Sequence, residues 1–171
     1  SGSGDFIGNF GTAGMTVKIS DGATMTVAAN RVDGSDGPTL QKVGDSGTGA
    51  VAVKIGDADK AVNMTTISSS GAASTTFTVF ETIDNFTGTL ASTTGVAAGA
   101  TLNLTAAKAT GKTITGTSTG SVNVTALDQT LDANVSAITA ATGSGATLTG
   151  TYLTSGSGDF IGNFGTAGMT V

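Results

Sequence analysis

The chain contains no cysteine, no histidine and no tryptophan, and its single proline is Pro38. Without cysteine there are no disulfides and no thiolate chemistry. Without histidine there is neither imidazole acid–base chemistry nor a common zinc ligand. Charge is scarce as well: Asp, Glu, Lys and Arg make up 11% of the 171 residues, against about 25% in an average domain. The few charges lean acidic, with a formal net charge of −5. Seven Lys and Arg against that background argue against a nucleic-acid partner, whose binding needs clustered cations. No apolar run reaches the roughly 18 residues that span a bilayer, so no membrane-spanning segment is predicted. What fills the chain instead is Thr, Ala, Ser and 27 Gly, at a slightly positive mean hydropathy. That composition disfavours disorder and favours short strands joined by tight turns.

What is present repeats. The stretch SGSGDFIGNFGTAGMTV occupies residues 1–17 and returns, identical at all 17 positions, at residues 155–171. Residues 1–154 are therefore read as one full unit and 155–171 as the start of the next, a window on a tandem array. Inside the unit a six-residue pattern recurs: small, apolar, Thr/Asn/Ala, apolar and two variable positions. It reads GMTVKI at 14–19, TMTVAA at 24–29, AVAVKI at 50–55, TFTVFE at 76–81, TLNLTA at 101–106, SVNVTA at 121–126 and TLTGTY at 147–152. Alternation of apolar and polar residues marks a strand with one buried face. Val17, Val27, Val53, Val79, Leu104 and Val124 are thus predicted to point inward, beside Met15, Met25, Val51, Phe77, Leu102 and Val122. A second set of strand-like segments follows about half an interval later, at 40–43, 61–67, 86–90, 112–117, 136–140 and 159–164.

Coils of 20 to 26 residues, none able to bury its apolar side alone, predict an all-β parallel β-solenoid (β-helix) of about six or seven coils per unit. The scarcity of charge agrees. Like charges stacked one rung apart, about 4.8 Å, repel each other, whereas Thr and Asn ladders hydrogen-bond along the stack. The match between TLNLTA and SVNVTA places Asn103 over Asn123 and Leu104 over Val124. An immunoglobulin-like β-sandwich repeat is the alternative, since it too has short strands at regular spacing. Two stretches break the frame. Residues 30–49 hold Pro38, Arg31 and much Gly and read as a protruding loop suited to lateral contacts. In 124–141, Leu127, Leu131, Val135 and Ile138 recur at helical spacing, which fits either a short helix or a tight corner.

The segments GSVNVTALDQTLDANVSAITA, GATLNLTAAKATGKTITGT and DFIGNFGTAGMTVKISDGATMTVAA resemble the repeats of very large Thr- and Ala-rich β-strand-repeat surface proteins of bacteria, among them giant adhesins, surface-layer proteins and extracellular filament proteins. The resemblance is one of style and composition over most of the chain. It implies a secreted, cell-surface, non-enzymatic structural repeat and carries over no functional residues.

Self is therefore the expected partner. The repeated segment holds Phe6, Ile7, Phe10 and Val17, with their copies Phe160, Ile161, Phe164 and Val171, a large share of the chain's aromatics, and is the expected end-to-end contact. No catalytic group is assigned. Asp57 and Asp59 could pair as carboxylates, as in β-helix enzymes on acidic polysaccharides, but Glu81 is the only glutamate and the basic groups are scattered. No cofactor is required by the sequence. Calcium is the one candidate ligand: Asp33, Asp36, Asp45, Asp57 and Asp59 lie in Gly-containing turns that supply carboxylate and carbonyl oxygens. The same Asp-Gly pairs serve equally as plain turn formers. Thr-x-Thr runs at 113–119 and 147–151 could present a flat hydroxyl face to ice, glycan or a host surface. Five N-x-S/T sequons, at Asn63, Asn85, Asn103, Asn123 and Asn134, leave glycosylation open, although a chain so rich in Ser and Thr produces some of them by chance.

Overall fold

A computed structural model of the chain describes residues 4–8, 10, 16–33, 39–42, 49–67, 69–70, 74–127, 132–139, 147–152, 162–164 and 169–171. Short alternating segments bounded by Gly, Asp and Ser form the strands, in chain order β1 (Gly4–Phe6), β2 (Thr16–Ile19), β3 (Thr24–Ala28), β4 (Thr39–Lys42), β5 (Ala50–Ile55), β6 (Ser69–Ser70) and β7 (Ser74–Val79). There follow β8 (Ile83–Phe86), β9 (Thr93–Val96), β10 (Thr101–Thr105), β11 (Thr113–Gly116), β12 (Ser121–Leu127), β13 (Ile138–Thr139) and β14 (Leu148–Tyr152). Every ladder between these strands is parallel. The chain is a parallel β-solenoid, and its longest sheet carries seven strands. The sandwich alternative falls, because that class is built from antiparallel sheets.

The walls follow a simple rule. Odd-numbered strands stack in order into one seven-stranded sheet, β1-β3-β5-β7-β9-β11-β13. Even-numbered strands form the opposite wall in two pieces, a three-stranded sheet β2-β4-β6 and a four-stranded sheet β14-β12-β10-β8. A column of corners adds a third side. There Met64 N–H donates to the Thr89 carbonyl at 2.8 Å, Gly111 N–H to the Asn134 carbonyl at 2.8 Å, and Val135 N–H to the Asn163 carbonyl at 2.9 Å.

The core runs between the walls. Val27, Val51, Val53, Val79, Leu102, Leu104, Val122 and Val124 are buried as expected, joined by Ile55, Ile83, Phe86, Leu90, Val96 and Ile114. Val17, Met25 and Phe77 are only partly buried against that core. For Val17 and Met25 the reason is position, since they lie in the first coils of the stack, where little covers them. Met15 lies outside the described residues.

Three expectations need correction. The six-residue frame does not form one wall: residues 16–19 join the three-stranded sheet, 24–28, 50–55 and 74–79 the seven-stranded one, and 101–105, 121–127 and 148–152 the four-stranded one. Residues 61–67 are not a strand. They turn the third corner through a 3₁₀ turn at Met64–Thr66, opened by Asn63, whose Oδ1 accepts from Thr65 N–H at 3.1 Å. Residues 86–90 likewise supply only the end of β8 and a bridge at Thr89. The helical spacing in 124–141 belongs to the corner reading where the chain is described: β12 runs to Leu127, and Leu127, Val135 and Ile138 are all fully buried. Leu131 and most of the loop at 30–49 lie outside the described residues, although Thr39–Lys42 within that loop is a strand. The one α-helix among the described residues is the single turn α1 (Ala106–Ala109), which buries Ala106 and Ala109 at a corner.

Candidate functional site

The chemistry-bearing features lie along the walls and at the ends of the stack. On the outer face of the four-stranded sheet, Asn103 stands over Asn123, as the matching hexapeptides require. Asn103 Nδ2 donates to the Ile83 carbonyl at 2.9 Å, Asn123 Nδ2 to Asn103 Oδ1 at 3.0 Å, and Thr149 Oγ1 to Asn123 Oδ1 at 2.7 Å. The ladder crosses four rungs and leaves these two sequon amides engaged in structure. Asn63 and Asn134 are engaged differently: each Oδ1 accepts from the hydroxyl two residues on, Thr65 or Ser136, at 2.7 Å.

Among the described residues the acidic candidates do not converge. Asp59 is buried and accepts from Asn30 N–H and Gly56 N–H, both at 2.9 Å, so its carboxylate ties two successive coils together. Asp57, two residues away, is exposed and pairs with Lys60 at 3.2 Å. Asp33 accepts from Thr66 Oγ1 at 2.7 Å on another corner. Asp36 and Asp45 lie outside the described residues. Among the described residues no group of three or more carboxylates gathers in a way that could hold a metal ion. The expected Thr faces are divided: Thr113 and Thr115 lie on the seven-stranded sheet, Thr149 and Thr151 on the four-stranded one, and Thr119 Oγ1 accepts from Gly99 N–H at 2.9 Å in a turn. Strand register reveals a different hydroxyl surface on the seven-stranded sheet, where Thr76, Thr78, Thr93, Thr113, Thr115 and Thr139 face outward on successive rungs. Spacing within one segment could not have found it, since it is assembled from four strands.

At the first end of the stack, β1 and β2 are the outermost strands of their sheets. Phe6 stacks on Phe10 with ring centroids 4.1 Å apart, while Ile7 is 88% exposed. Between the two walls an open-ended cavity of about 420 Å³ is lined by Phe6, Val17, Ile19, Ala23 and Met25. Beside it Lys54 lies 3.4 Å from Asp5 and 5.9 Å from the Phe80 ring centroid.

At the other end the repeated segment is seen in its second setting. Thr170 N–H donates to the Leu148 carbonyl at 3.0 Å, and Gly150 N–H donates to the Thr170 carbonyl at 2.8 Å. Thr170 thereby forms a parallel bridge with Thr149 of β14. Phe164 and Met169 pack against the core, and Val171 is 64% exposed. Gly150 makes room for that approach, because a Cβ there would come within 2.8 Å of Met169 Sδ. Phe160 and Ile161 lie outside the described residues.

No protein-family model, curated protein or solved structure matches the chain. No helix among the described residues is long and apolar enough to cross a membrane.

Proposed function

We propose that this chain is a structural repeat of an extracellular filament, surface layer or fibrous cell-surface protein, and that its units assemble end to end by strand stacking. The partner is self, and the role requires neither catalysis nor a cofactor. The observation that carries the reading is Thr170 seated on the edge of β14: a residue of the stretch that repeats the opening of the unit occupies the next rung after the unit's last strand. An uncovered strand edge exposes unpaired N–H and C=O groups and invites another strand. A following unit satisfies them, and stacked units share one core.

Seven strands per unit on the longest wall, at about 4.8 Å per rung, correspond to an axial repeat of roughly 34 Å. Negative-stain electron microscopy of the purified chain should therefore reveal unbranched filaments with that periodicity. Dispersed monomers, or beads spaced about 40 Å or more apart, a spacing longer than the stacked rungs supply, would sink the reading. Imaging with calcium and then chelator tests the metal separately: loss of filaments on chelation assigns calcium to the loops that carry the acidic residues.

A second reading, an adhesin-type module for glycan, ice or a host surface, is favoured by the outward hydroxyl surface of the seven-stranded sheet. Replacing Thr115 and Thr139 by Lys would abolish surface or ice adsorption in that case and leave filament length unchanged.

A further inference from the structure

The end of the duplicated segment is described in two environments in one molecule, at Thr16 and at its copy Thr170, and together these report on both edges of a single strand. In the first copy, Thr16–Ile19 is β2, paired on one side only, with Thr16 opposite Thr39 and Val17 opposite Leu40. In the second, Thr170, the copy of Thr16, pairs with Thr149 of β14. The facing agrees in both settings. Thr16 is exposed and Ile19 buried in β2, while in β14 Leu148 is buried and Thr149 reaches outward to Asn123. Thr170 bonds β14 through both its N–H and its C=O. In a parallel strand alternate residues bond to opposite neighbours, so the flanking residues of this segment remain for a strand on the other side.

We infer that the Leu148–Tyr152 edge of one unit receives Thr16–Ile19 of a second copy, with Thr149 opposite Thr16, and that the four-stranded sheet of the first unit thereby continues into the three-stranded sheet of the second. This rests on the end-to-end reading above and gives it a register. The strand counts close. Four strands plus three make seven, the number that the opposite wall contributes per unit, so both walls advance by the same number of rungs. The junction is a slot for one strand for which two identical segments compete: residues 155–171 of the leading chain and residues 1–17 of the following one. Either can fill it. The outward Asn103–Asn123–Thr149 ladder then runs on to Thr16, and Val17, now only partly buried, gains cover from the coil before it.

Because the chain has no cysteine, engineered pairs report the register without background. In the full chain, Thr149→Cys with Thr170→Cys should close an intrachain disulfide on mild oxidation. Between chains, Thr16→Cys with Thr149→Cys is tested alongside Thr170→Pro, which removes the Thr170 N–H and vacates the slot. Pro is tolerated at a first-strand position whose N–H faces an open edge. This variant should give disulfide-linked multimers on a non-reducing gel. The control carrying Thr16→Cys, Thr151→Cys and Thr170→Pro places the pair about 8 Å apart, beyond disulfide reach, and should give about tenfold less. Filaments should survive Thr16→Pro or Thr170→Pro alone and be lost in the double variant. Failure of the intrachain pair to close, equal yields from the two registers, absence of interchain product, or filaments persisting in the double variant would each overturn the junction. Interchain crosslinks without filaments by microscopy would instead leave the junction standing and overturn the filament role.

Discussion

The central coils and the first coils of the solenoid solve the same packing problem with different amounts of chain. Between β7 and β12 a rung returns after 17 to 20 residues, as from Thr78 to Gly95, from Phe86 to Leu104 and from Thr101 to Ser121. In the first coils the return takes 21 to 29, as from Gly4 to Met25, from Thr16 to Thr39, from Thr24 to Ala50 and from Leu40 to Ser69. The short coils place Ile83, Phe86, Leu90, Leu102, Leu104 and Ile114 at almost complete burial and lock their outer face with the Asn ladder. The first coils bury Val27, Val51 and Val53 together with Ile55 and Met64, and leave Val17 and Met25 half-covered. They are tied instead by the buried Asp59 carboxylate. The lesson is that a rung is set by its strands, while residues beyond about 20 per coil go into corners without changing the stacking partner.

The largest effect that separates the two regions is core truncation. Phe86→Ala should cost about 3–5 kcal/mol, against about 2 kcal/mol for Val27→Ala, because the larger void is surrounded by coils on both sides. Urea unfolding followed by hydrogen exchange at individual amides reads this, and equal losses at the two positions would remove the distinction. Next comes Asp59→Ala, which leaves the Gly56 and Asn30 N–H groups without their acceptor. A loss of about 2–4 kcal/mol is expected, concentrated in the first coils; protection changes confined to the central coils would contradict the assignment.

Asn123→Ala strips Asn103 Oδ1 of its donor and Thr149 Oγ1 of its acceptor, for about 2 kcal/mol in the central coils. A double-mutant cycle with Asn103→Ala should reveal strong coupling, and simple additivity would mean the ladder is only apparent. In the opposite direction, Thr94 is buried with its hydroxyl unpartnered among the described residues. Thr94→Val keeps the shape and should raise the urea midpoint by about 1 kcal/mol of stability. The smallest change is Lys60→Ala, since the exposed Asp57 pair contributes no more than about 0.5 kcal/mol. A larger loss would assign Lys60 a role in the corner column through more than charge.

Much of this was legible in residues 14–29 and 101–126, where alternation is strong and apolar positions are Val, Leu or Met. The buried face, the parallel stack and the Asn103 over Asn123 register all followed. What escaped was β8 and β9, IDNF and TTGV, because a Gly, an Asp and an Asn in four-residue strands carry no period that stands out locally. Residues 61–67 erred the other way. AVNMTTI alternates well enough for a strand, yet Asn63 folds its side chain onto Thr65 and turns the chain at the corner. For the proposed junction, the duplicated segment was visible as a duplication, whereas the β14 edge that Thr170 pairs with was not.

The sequence by itself pointed to a stacked parallel solenoid, because alternation fixes which side of each strand is buried and scarce charge permits like residues to stand one rung apart. Only the tertiary structure decided which wall each strand joins. GMTVKI, TMTVAA and TLNLTA look alike locally, yet they belong to three different sheets. An alternating hexapeptide specifies its buried face and says nothing of its neighbour, which depends on how many corners the chain turns before it returns to the same wall.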